Sequence, residues 1–297
     1  MSAFSIHPQT NIGAVFLTVT DLQRSERFYC DVLGFKPLRR ENTSLWLTAD
    51  GSTPLLALME NPHALPRPPR TTGLYHFAIV VPERTDLARS ILRIVETGYP
   101  VQGGADHLVS EALYLADPDG NGIEIYRDRA RESWTYQGTQ VRMATDPLDF
   151  DGILGELDPG QHPWDGLPAG TRIGHMHLNV AGLPQAKAFY HDLLGFDVMA
   201  ELGNSALFIS AGGYHHHIGL NTWEGVGAPP PPPGTVGLRH YEISLPDLAE
   251  FEKLAGRLQS AGIDFEETDE GLLFRDPFQN GLMLTYRGAG GQVTSNE

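Results

Sequence analysis

Histidines and carboxylates are the side chains of this 297-residue chain whose types and spacing could do metal chemistry. The sequence has 12 histidines and 37 acidic residues but a single cysteine, Cys30. One cysteine excludes an internal disulfide and any cysteine-cluster zinc or iron–sulfur site. Histidines recur in strand-like runs such as HFAIVV and HMHLNV and in the tract GGYHHHIGLN (212–221). If the chain binds a metal, imidazole and carboxylate groups must therefore hold it.

An internal duplication supplies the elements that position these side chains. Residues 12–35 (IGAVFLTVTDLQRSERFYCDVLGF) match residues 173–196 (IGHMHLNVAGLPQAKAFYHDLLGF) at a constant offset. Further along, GLYHFAIVVP (73–82) matches GLRHYEISLP (237–246). A repeat of this kind organises the whole fold, so we interpret the two halves of the chain as duplicates.

Each half divides again into two modules with the same order of elements. A short alternating run, strand-like at a period of two, is followed by an amphipathic helix and then by further short strands. A glycine stands where each helix should end (Gly34, Gly98, Gly195 and Gly262). The pattern predicts an α+β fold of four βαβββ modules. The segment 131–170 and the five prolines Pro229–Pro233 are predicted connectors.

The overall charge bears on partners and location. The formal net charge is −16 and no run of lysine and arginine occurs, which argues against nucleic acid or anionic lipid as a partner. No apolar stretch approaches the ~18 residues of a membrane span. The N-terminal segment MSAFSIHPQT lacks the features of a signal peptide, so we expect a cytoplasmic protein with no membrane association. The sequence leaves open whether the protein forms a homo-oligomer.

The four modules, the helix pattern FYxDxLGF and the segment DPDGNGIEIY (117–126) together resemble the vicinal oxygen chelate superfamily. That superfamily includes glyoxalase I, bleomycin-resistance proteins and type I extradiol dioxygenases. The resemblance covers two predicted domains, residues 10–128 and 171–289, joined by the linker 131–170. It implies that modules pair and curl their sheets into open barrels around a metal.

The resemblance also implies where metal ligands lie, on the first and last strands of paired modules. The first-strand positions here are Phe16, His76, His177 and His240, and the last-strand positions are Glu124 and Met283. Pairing of modules that are adjacent in the sequence is the default, but it divides the metal donors into two incomplete sets. Pairing modules 2+3 and 1+4 instead unites His76, His177 and Glu124. Two histidines and one carboxylate are the facial triad of non-haem Fe(II) oxygenases, so we predict the crossed pairing.

Two further histidines, His175 and His240, have to be considered beside this ligand set. His175 lies two residues before His177 on the same strand face and competes with it, although the register shared with Phe16 and His76 favours His177. His240 stands at a ligand register without partners, and we interpret it as structural. The barrel of modules 1 and 4 is therefore expected to be dry, packed and metal-free.

Candidate catalytic residues also follow from the resemblance. DHLVSEALYLADPDGNGIEIY (106–126) is similar to the segment of extradiol dioxygenases that carries a histidine, a tyrosine and the ligand glutamate in that order. Carried over to this chain, His107 would hydrogen-bond the substrate or the bound oxygen. Tyr114 would hold the substrate oxygen that binds the metal.

The triple histidine resembles the strand that brings the acid–base histidine of those enzymes. Counting back from Gly219 selects His216, whereas counting forward from the preceding glycines selects His215. Neighbours on a strand point to opposite faces, so we expect one histidine of the tract to dominate. A catechol binds as its monoanion and must lose a proton, and a later step must return one. A histidine near neutral pKa can do both.

The resemblance as a whole implies Fe(II)-dependent extradiol cleavage of a catechol by O₂, of the catechol 2,3-dioxygenase type. The partners would be a small aromatic diol and O₂, and Mn(II) could occupy the same ligands. A glyoxalase-type isomerase is one alternative, although that class wants a fourth protein ligand where module 3 has Gly219. A small-molecule-binding resistance protein of the same fold, which needs no metal triad, is the other.

Overall fold

The computed structural model describes residues 4–158 and 164–288 of the chain. The four modules have the predicted order of elements, one helix after the first strand and three strands after the helix. Module 1 comprises β1 (Asn11–Val19), α1 (Leu22–Arg27), β2 (Lys36–Glu41), β3 (Ser44–Thr48) and β4 (Pro54–Glu60). Module 2 comprises β5 (Gly73–Val80), α2 (Arg84–Thr97), β6 (Gly103–Asp106), β7 (Ser110–Ala116) and β8 (Gly122–Asp128).

The second half repeats this order after a connecting segment. The connecting segment forms β9 (Tyr136–Gln137), β10 (Gln140–Val141), β11 (Asp146–Pro147) and α3 (Phe150–Leu154). Module 3 comprises β12 (Arg172–Asn179), α4 (Leu183–Lys187), β13 (Asp197–Leu202), β14 (Ala206–Ser210) and β15 (Ile218–Asn221). Module 4 comprises β16 (Gly237–Leu245), α5 (Leu248–Ser260), β17 (Phe265–Thr268), β18 (Gly271–Arg275) and β19 (Gly281–Tyr286). The predicted domain limits stay predictions.

Local signals set the bounds of the helices. Asp21 caps α1 by accepting a hydrogen bond from the backbone N–H of Arg24, and α1 continues as a π-helical segment, Phe28–Val32. The helix α2 begins at a capping box formed by Glu83 and Asp86 and ends at Gly98, whose φ of 67° favours glycine. No helix within the described residues is long and apolar enough to cross a membrane.

Strand pairing confirms the crossed arrangement of modules. One sheet has the order β17-β18-β19-β16-β1-β4-β3-β2 and unites modules 1 and 4. The other has the order β11-β6-β7-β8-β5-β12-β15-β14-β13 and unites modules 2 and 3. The first strands of the paired modules run antiparallel at the centre of each sheet. The fold therefore has two curled sheets, each built from one module of each half.

Contacts between helices and turns tie the sequence-adjacent modules together. Tyr29, in the helical region of module 1, donates a hydrogen bond to Asp117 in the DPDGNG turn of module 2 at 2.9 Å. Tyr190 of module 3 makes the same 2.9 Å bond to Asp276 of module 4. Both carboxylates also accept backbone N–H groups of their own turns. The repeated DPxxN motif is therefore structural and joins the two barrels.

Candidate metal centre and active site

Three donor groups converge on the central strands of the 2+3 sheet. His76 lies on β5, Glu124 on the adjacent β8 and His175 on β12, the neighbour of β5 on its other side. The Oε2 atom of Glu124 is 3.0 Å from Nε2 of His76 and 3.2 Å from Nε2 of His175. All three side chains are buried, and their donor atoms lie within 4.8 Å of one another. Among the described residues this is the group suited to a metal ion.

The sequence register selects His177 as the third ligand. The geometry of the structure instead favours His175. His177 lies directly opposite His76 in the β5–β12 pair, but it is not a member of the converging group. Across the sheet His175 is opposite Ala78 of β5, and Ala78 is opposite Glu124 of β8, so His175 and not His177 is level with the carboxylate. His177 instead lines the cavity described below, with its Nε2 buried and without a hydrogen-bond partner.

The protonation states and spacing of the three donors fit a divalent metal. Burial lowers the pKa of His175 to about 4, which leaves a neutral imidazole with a free lone pair. Burial raises the pKa of Glu124, but the neighbouring His175 and His76 outweigh this effect and hold it well below its usual value. Two ligand atoms that each lie about 2.1 Å from a metal, with an angle of about 90° between the two bonds, are about 3 Å apart. The observed spacings of 3.0 and 3.2 Å match that value.

A cavity of about 470 Å³ opens above these donors. His76 and Glu124 line its inner end, and the walls combine apolar groups with titratable ones. The walls include Val141, Met143, Phe208 and Trp223, together with the side chains of His107, Tyr114, His177 and His216. A pocket of this size, apolar with a few converging polar groups, is typical of a small-molecule site.

The structure brings His107 and Tyr114 together on one wall of the cavity. Nδ1 of His107 is 2.7 Å from the carbonyl oxygen of Ala144, and Nε2 is 2.5 Å from the Tyr114 hydroxyl. A carbonyl accepts, so Nδ1 carries the proton and Nε2 accepts from Tyr114. Tyr114 also lies opposite Glu124 in the β7–β8 pair, which directs both side chains toward the metal donors.

The histidine tract lies at the back of the cavity. His216 lines the cavity, whereas His215 is wholly buried behind it. His217 points away and accepts a hydrogen bond at Nδ1 from the backbone N–H of Ala211. Residues 214–217 precede β15 and are not strand, so the expected alternation of faces is wrong for His215 and His216. Their Nδ1 atoms are 2.8 Å apart.

The duplicated fold and this site agree with comparisons to known proteins. Residues 11–125 and 172–284 both match the Glyoxalase/Bleomycin resistance protein/Dioxygenase superfamily. The chain belongs to this superfamily. A protein of Bacillus subtilis (strain 168) named Catechol-2,3-dioxygenase is 48% identical over 286 residues, which cover 95% of this chain and 99% of the relative.

Solved structures of the superfamily share the fold at low identity. The crystal structure of a protein from Bacillus subtilis subsp. subtilis str. 168 superposes with a TM-score of 0.66 at 14% identity, covering 95% of this chain and 86% of that one. Glyoxalase I from Zea mays superposes with a TM-score of 0.56 at 16% identity, covering 93% and 92%. These likenesses support the architecture of paired modules.

The connecting segment between the modules contributes one wall of the site, which sequence reasoning missed. The segment was interpreted as a linker, yet residues 140–145 line the cavity of this superfamily member. Val141 is buried on the short strand β10, and the carbonyl of Ala144 fixes His107. The available signal was the alternation of apolar Val141 and Met143 within an otherwise polar stretch.

Proposed function

We propose that this protein is an Fe(II)-dependent extradiol dioxygenase that opens the ring of a catechol with O₂. The observation that carries the proposal is the convergence of His76, Glu124 and His175, of which His76 and Glu124 line the cavity. A relative named Catechol-2,3-dioxygenase matches along nearly the full length of both chains, which supports the same activity here. The reaction breaks the ring bond next to the diol and places both oxygen atoms of O₂ in the product.

In this proposal Fe(II) would be held by His76, Glu124 and His175. When bound, Fe(II) supplies adjacent coordination positions for the catechol oxygens and for O₂ and lets electrons pass between them. One carboxylate offsets half of the metal charge, and the two neutral imidazoles complete the set. Mn(II) fits the same donors, so the choice of metal is part of the test below.

The chain's own residues orient the substrate and handle its protons. The Tyr114 hydroxyl, fixed by His107, is placed to hydrogen-bond the substrate oxygen near the metal donors. His216 is placed to take a proton from the second catechol hydroxyl as it binds, and to return it when the ring opens. Burial lowers the pKa of His216 well below its usual value, so the ring is neutral and can act first as a base.

The corner of the site at Gly219 favours ring cleavage over glyoxalase chemistry. A glyoxalase-type metal centre requires a fourth protein ligand at this position on the last strand of module 3. A Cβ atom added to Gly219 would lie 3.0 Å from ring atoms of His177, so a longer carboxylate side chain would require that ring to shift. An absent fourth ligand leaves that side of the metal donors to substrate and O₂.

The proposal is tested by loading the purified protein with Fe(II) under anaerobic conditions and then adding catechol and O₂. A yellow ring-opened product that forms with one O₂ consumed per catechol is expected. Parallel samples loaded with Mn(II) identify the metal. Glu124→Gln, which keeps the side-chain size and removes the charge, serves as the inactive control. Turnover of a glutathione hemithioacetal without O₂ uptake would instead establish the isomerase.

His216 has its own test. His216→Ala should still bind Fe(II) and catechol, but single-turnover ring opening should slow by about 10²–10⁴-fold, the usual effect of removing a positioned acid or base. His217→Ala is the matched control, because His217 accepts a backbone hydrogen bond and does not line the cavity. Equal rates for the two variants would remove His216 from the mechanism and leave His107 as the candidate.

A further inference from the structure

We propose that Asp128 and His215 are positioning residues that hold His216 in its Nδ1–H tautomer, with the lone pair on Nε2. The inference rests on the proposed function for its catalytic meaning. The chain of hydrogen bonds that carries it is a property of the protein alone, and it can be measured without turnover.

The three side chains form a continuous line from the interior to the cavity. Oδ1 of Asp128 is 2.9 Å from Nε2 of His215, and Nδ1 of His215 is 2.8 Å from Nδ1 of His216. His215 has no exposed surface, whereas His216 is 8% exposed and lines the cavity. Since Nδ1 of His216 is engaged behind it, Nε2 is the nitrogen left for a substrate.

The surroundings of Asp128 keep it ionised. Burial raises its pKa, but the hydrogen bonds from His215 and Tyr214 and the charge of Arg172 outweigh this and lower it. The Tyr214 hydroxyl is 2.9 and 3.0 Å from the two carboxylate oxygens, and Arg172 is 3.7 Å from Oδ2. An ionised carboxylate can only accept hydrogen bonds.

The direction of each hydrogen bond follows from that one acceptor. Asp128 accepts, so Nε2 of His215 must carry a proton and donate it. One of the two Nδ1 atoms that lie 2.8 Å apart must donate and the other accept, and in the proposed chain Nδ1 of His215 accepts from His216. Nδ1 of His216 is thereby the protonated nitrogen, and Nε2 is the basic one. The same chain stabilises the ring after Nε2 has taken a proton, because its Nδ1–H bond becomes charge-assisted.

The network behind the chain is closed and tightly fitted. The Tyr126 hydroxyl is 2.6 Å from that of Tyr214, which in turn bonds Asp128. A Cβ atom at Gly174 would lie 1.8 Å from the Tyr126 hydroxyl, so a glycine at that position makes room for the network. Asp128 is therefore held in place from one side by tyrosines and from the other by His215.

The test is ¹⁵N NMR of the histidine rings in metal-free protein at pH 8, with the His216 signals assigned by their loss in His216→Ala. In the wild type we expect a protonated Nδ1 and an unprotonated Nε2. In His215→Phe, which removes the acceptor and keeps the ring packing, we expect His216 to change mainly to the Nε2–H tautomer. Tyr214→Phe, which removes one bond to Asp128 but leaves the chain, should keep the wild-type tautomer.

Kinetics of the Fe(II) enzyme give a second measurement. Asp128→Asn and His215→Phe should lower kcat by about 10–100-fold, the usual cost of losing a supporting hydrogen bond, with KM for catechol and iron content nearly unchanged. An Nε2–H tautomer for His216 in the wild type would overturn the inference, whatever the variants do. The proposed tautomer in a protein that lacks ring-cleaving activity would instead contradict the proposed function and leave the hydrogen-bonded chain intact.

Discussion

The two barrels of this protein share eight strands in the same order, with β11 added at one edge of the 2+3 sheet, but different side chains line them. In the 2+3 barrel the repeat positions hold His76, His175 and Glu124. In the 1+4 barrel the matching positions hold His240, Ala14 and Met283. The duplicated fold thus builds the same scaffold twice, and in the proposed assignment three side chains decide which copy holds a metal.

The 1+4 barrel is filled by packing instead of donors. Phe16 stacks on His240 with ring centroids 4.0 Å apart and an angle of 24° between the rings. Phe16 and Ala14 are buried, and Trp46 and Met59 pack against them. Among the described residues no metal-ligand group forms in this barrel. The prediction of a packed barrel is in accord with these contacts.

One repeated glycine shows how the two interiors diverged. A Cβ atom at Gly13 would lie 2.3 Å from the carboxylate of Glu242, whereas one at Gly174 would meet the hydroxyl of Tyr126. Each glycine makes room for a polar group from another strand of the same sheet. In the 2+3 barrel that group joins the network behind His216, and in the 1+4 barrel it is the single partly buried carboxyl of Glu242.

The largest expected effect is the difference in metal content and activity between alanine variants of the two histidines of β12. His175→Ala should lose the bound metal and lower ring-opening activity by about 10³-fold or more, because a facial triad needs all three donors. His177→Ala should keep the metal. Metal content after gel filtration and catechol turnover measure both effects. Loss of metal in His177→Ala alone would restore His177 as the ligand.

A gain-of-function experiment tests whether the barrels are equivalent in space. Adding Ala14→His and Met283→Glu to the His175→Ala variant places two histidines and one carboxylate in the 1+4 barrel, the third donor being His240. We expect metal content to rise from none to about one ion per chain, with weak binding because both sites are tightly packed. A folded variant without metal would show that matching repeat positions do not converge in this barrel.

Glu242 makes the stability of the 1+4 barrel depend on pH. Burial raises its pKa from 4.5 to about 7, and the nearby Glu270 adds to the shift. The folded state therefore favours the protonated form, and stability is lost as pH rises from about 4.5 through 7. Glu242→Gln keeps an acceptor for the Ala14 N–H and should stabilise the protein at pH 8, relative to pH 5, by about 1–3 kcal/mol.

Urea unfolding of both proteins at the two pH values measures this effect. Glu267→Gln, a change at an exposed position on β17, is the matched control and should leave the pH dependence of unfolding as it is in the wild type. An unaltered pH profile in Glu242→Gln would contradict the buried, protonated carboxyl.

The smallest effect is expected for His240. His240→Ala should leave catechol turnover within about twofold of wild type and lower the free energy of unfolding by about 1 kcal/mol through the lost contact with Phe16. Steady-state kinetics and urea unfolding check the two values. A loss of activity comparable to that of His175→Ala would show that the wrong barrel was assigned.

Several features of the site could be read from single residues and their place in the repeat. Glu124, His76, His107 and Tyr114 all lie at the cavity, as their motifs indicated. The crossed pairing of modules was also predictable, since it alone unites enough donors for a metal. These inferences depend on residue type and repeat position, which the sequence records directly.

The wall formed by the connecting segment came only from the tertiary structure, as did the geometry behind the proposed roles of His175 and His215. The connecting segment has little periodic signal, because its residues pack against a cavity and not against a regular core. His175 and His177 share one strand face, and the pairing across the sheet decides which one lies near Glu124, because His175 is opposite Ala78 and Ala78 is opposite Glu124. His215 meets Asp128 across 87 residues of sequence.

The sequence by itself determined the four modules, the duplication and the kinds of side chain available for chemistry. Residue types and their period are local quantities, so the chain carries them before it folds. The tertiary structure decided which donors meet within hydrogen-bond distance, because the pairing of three strands places His175 and not His177 level with Glu124. Distances of that size arise from the packing of the whole sheet.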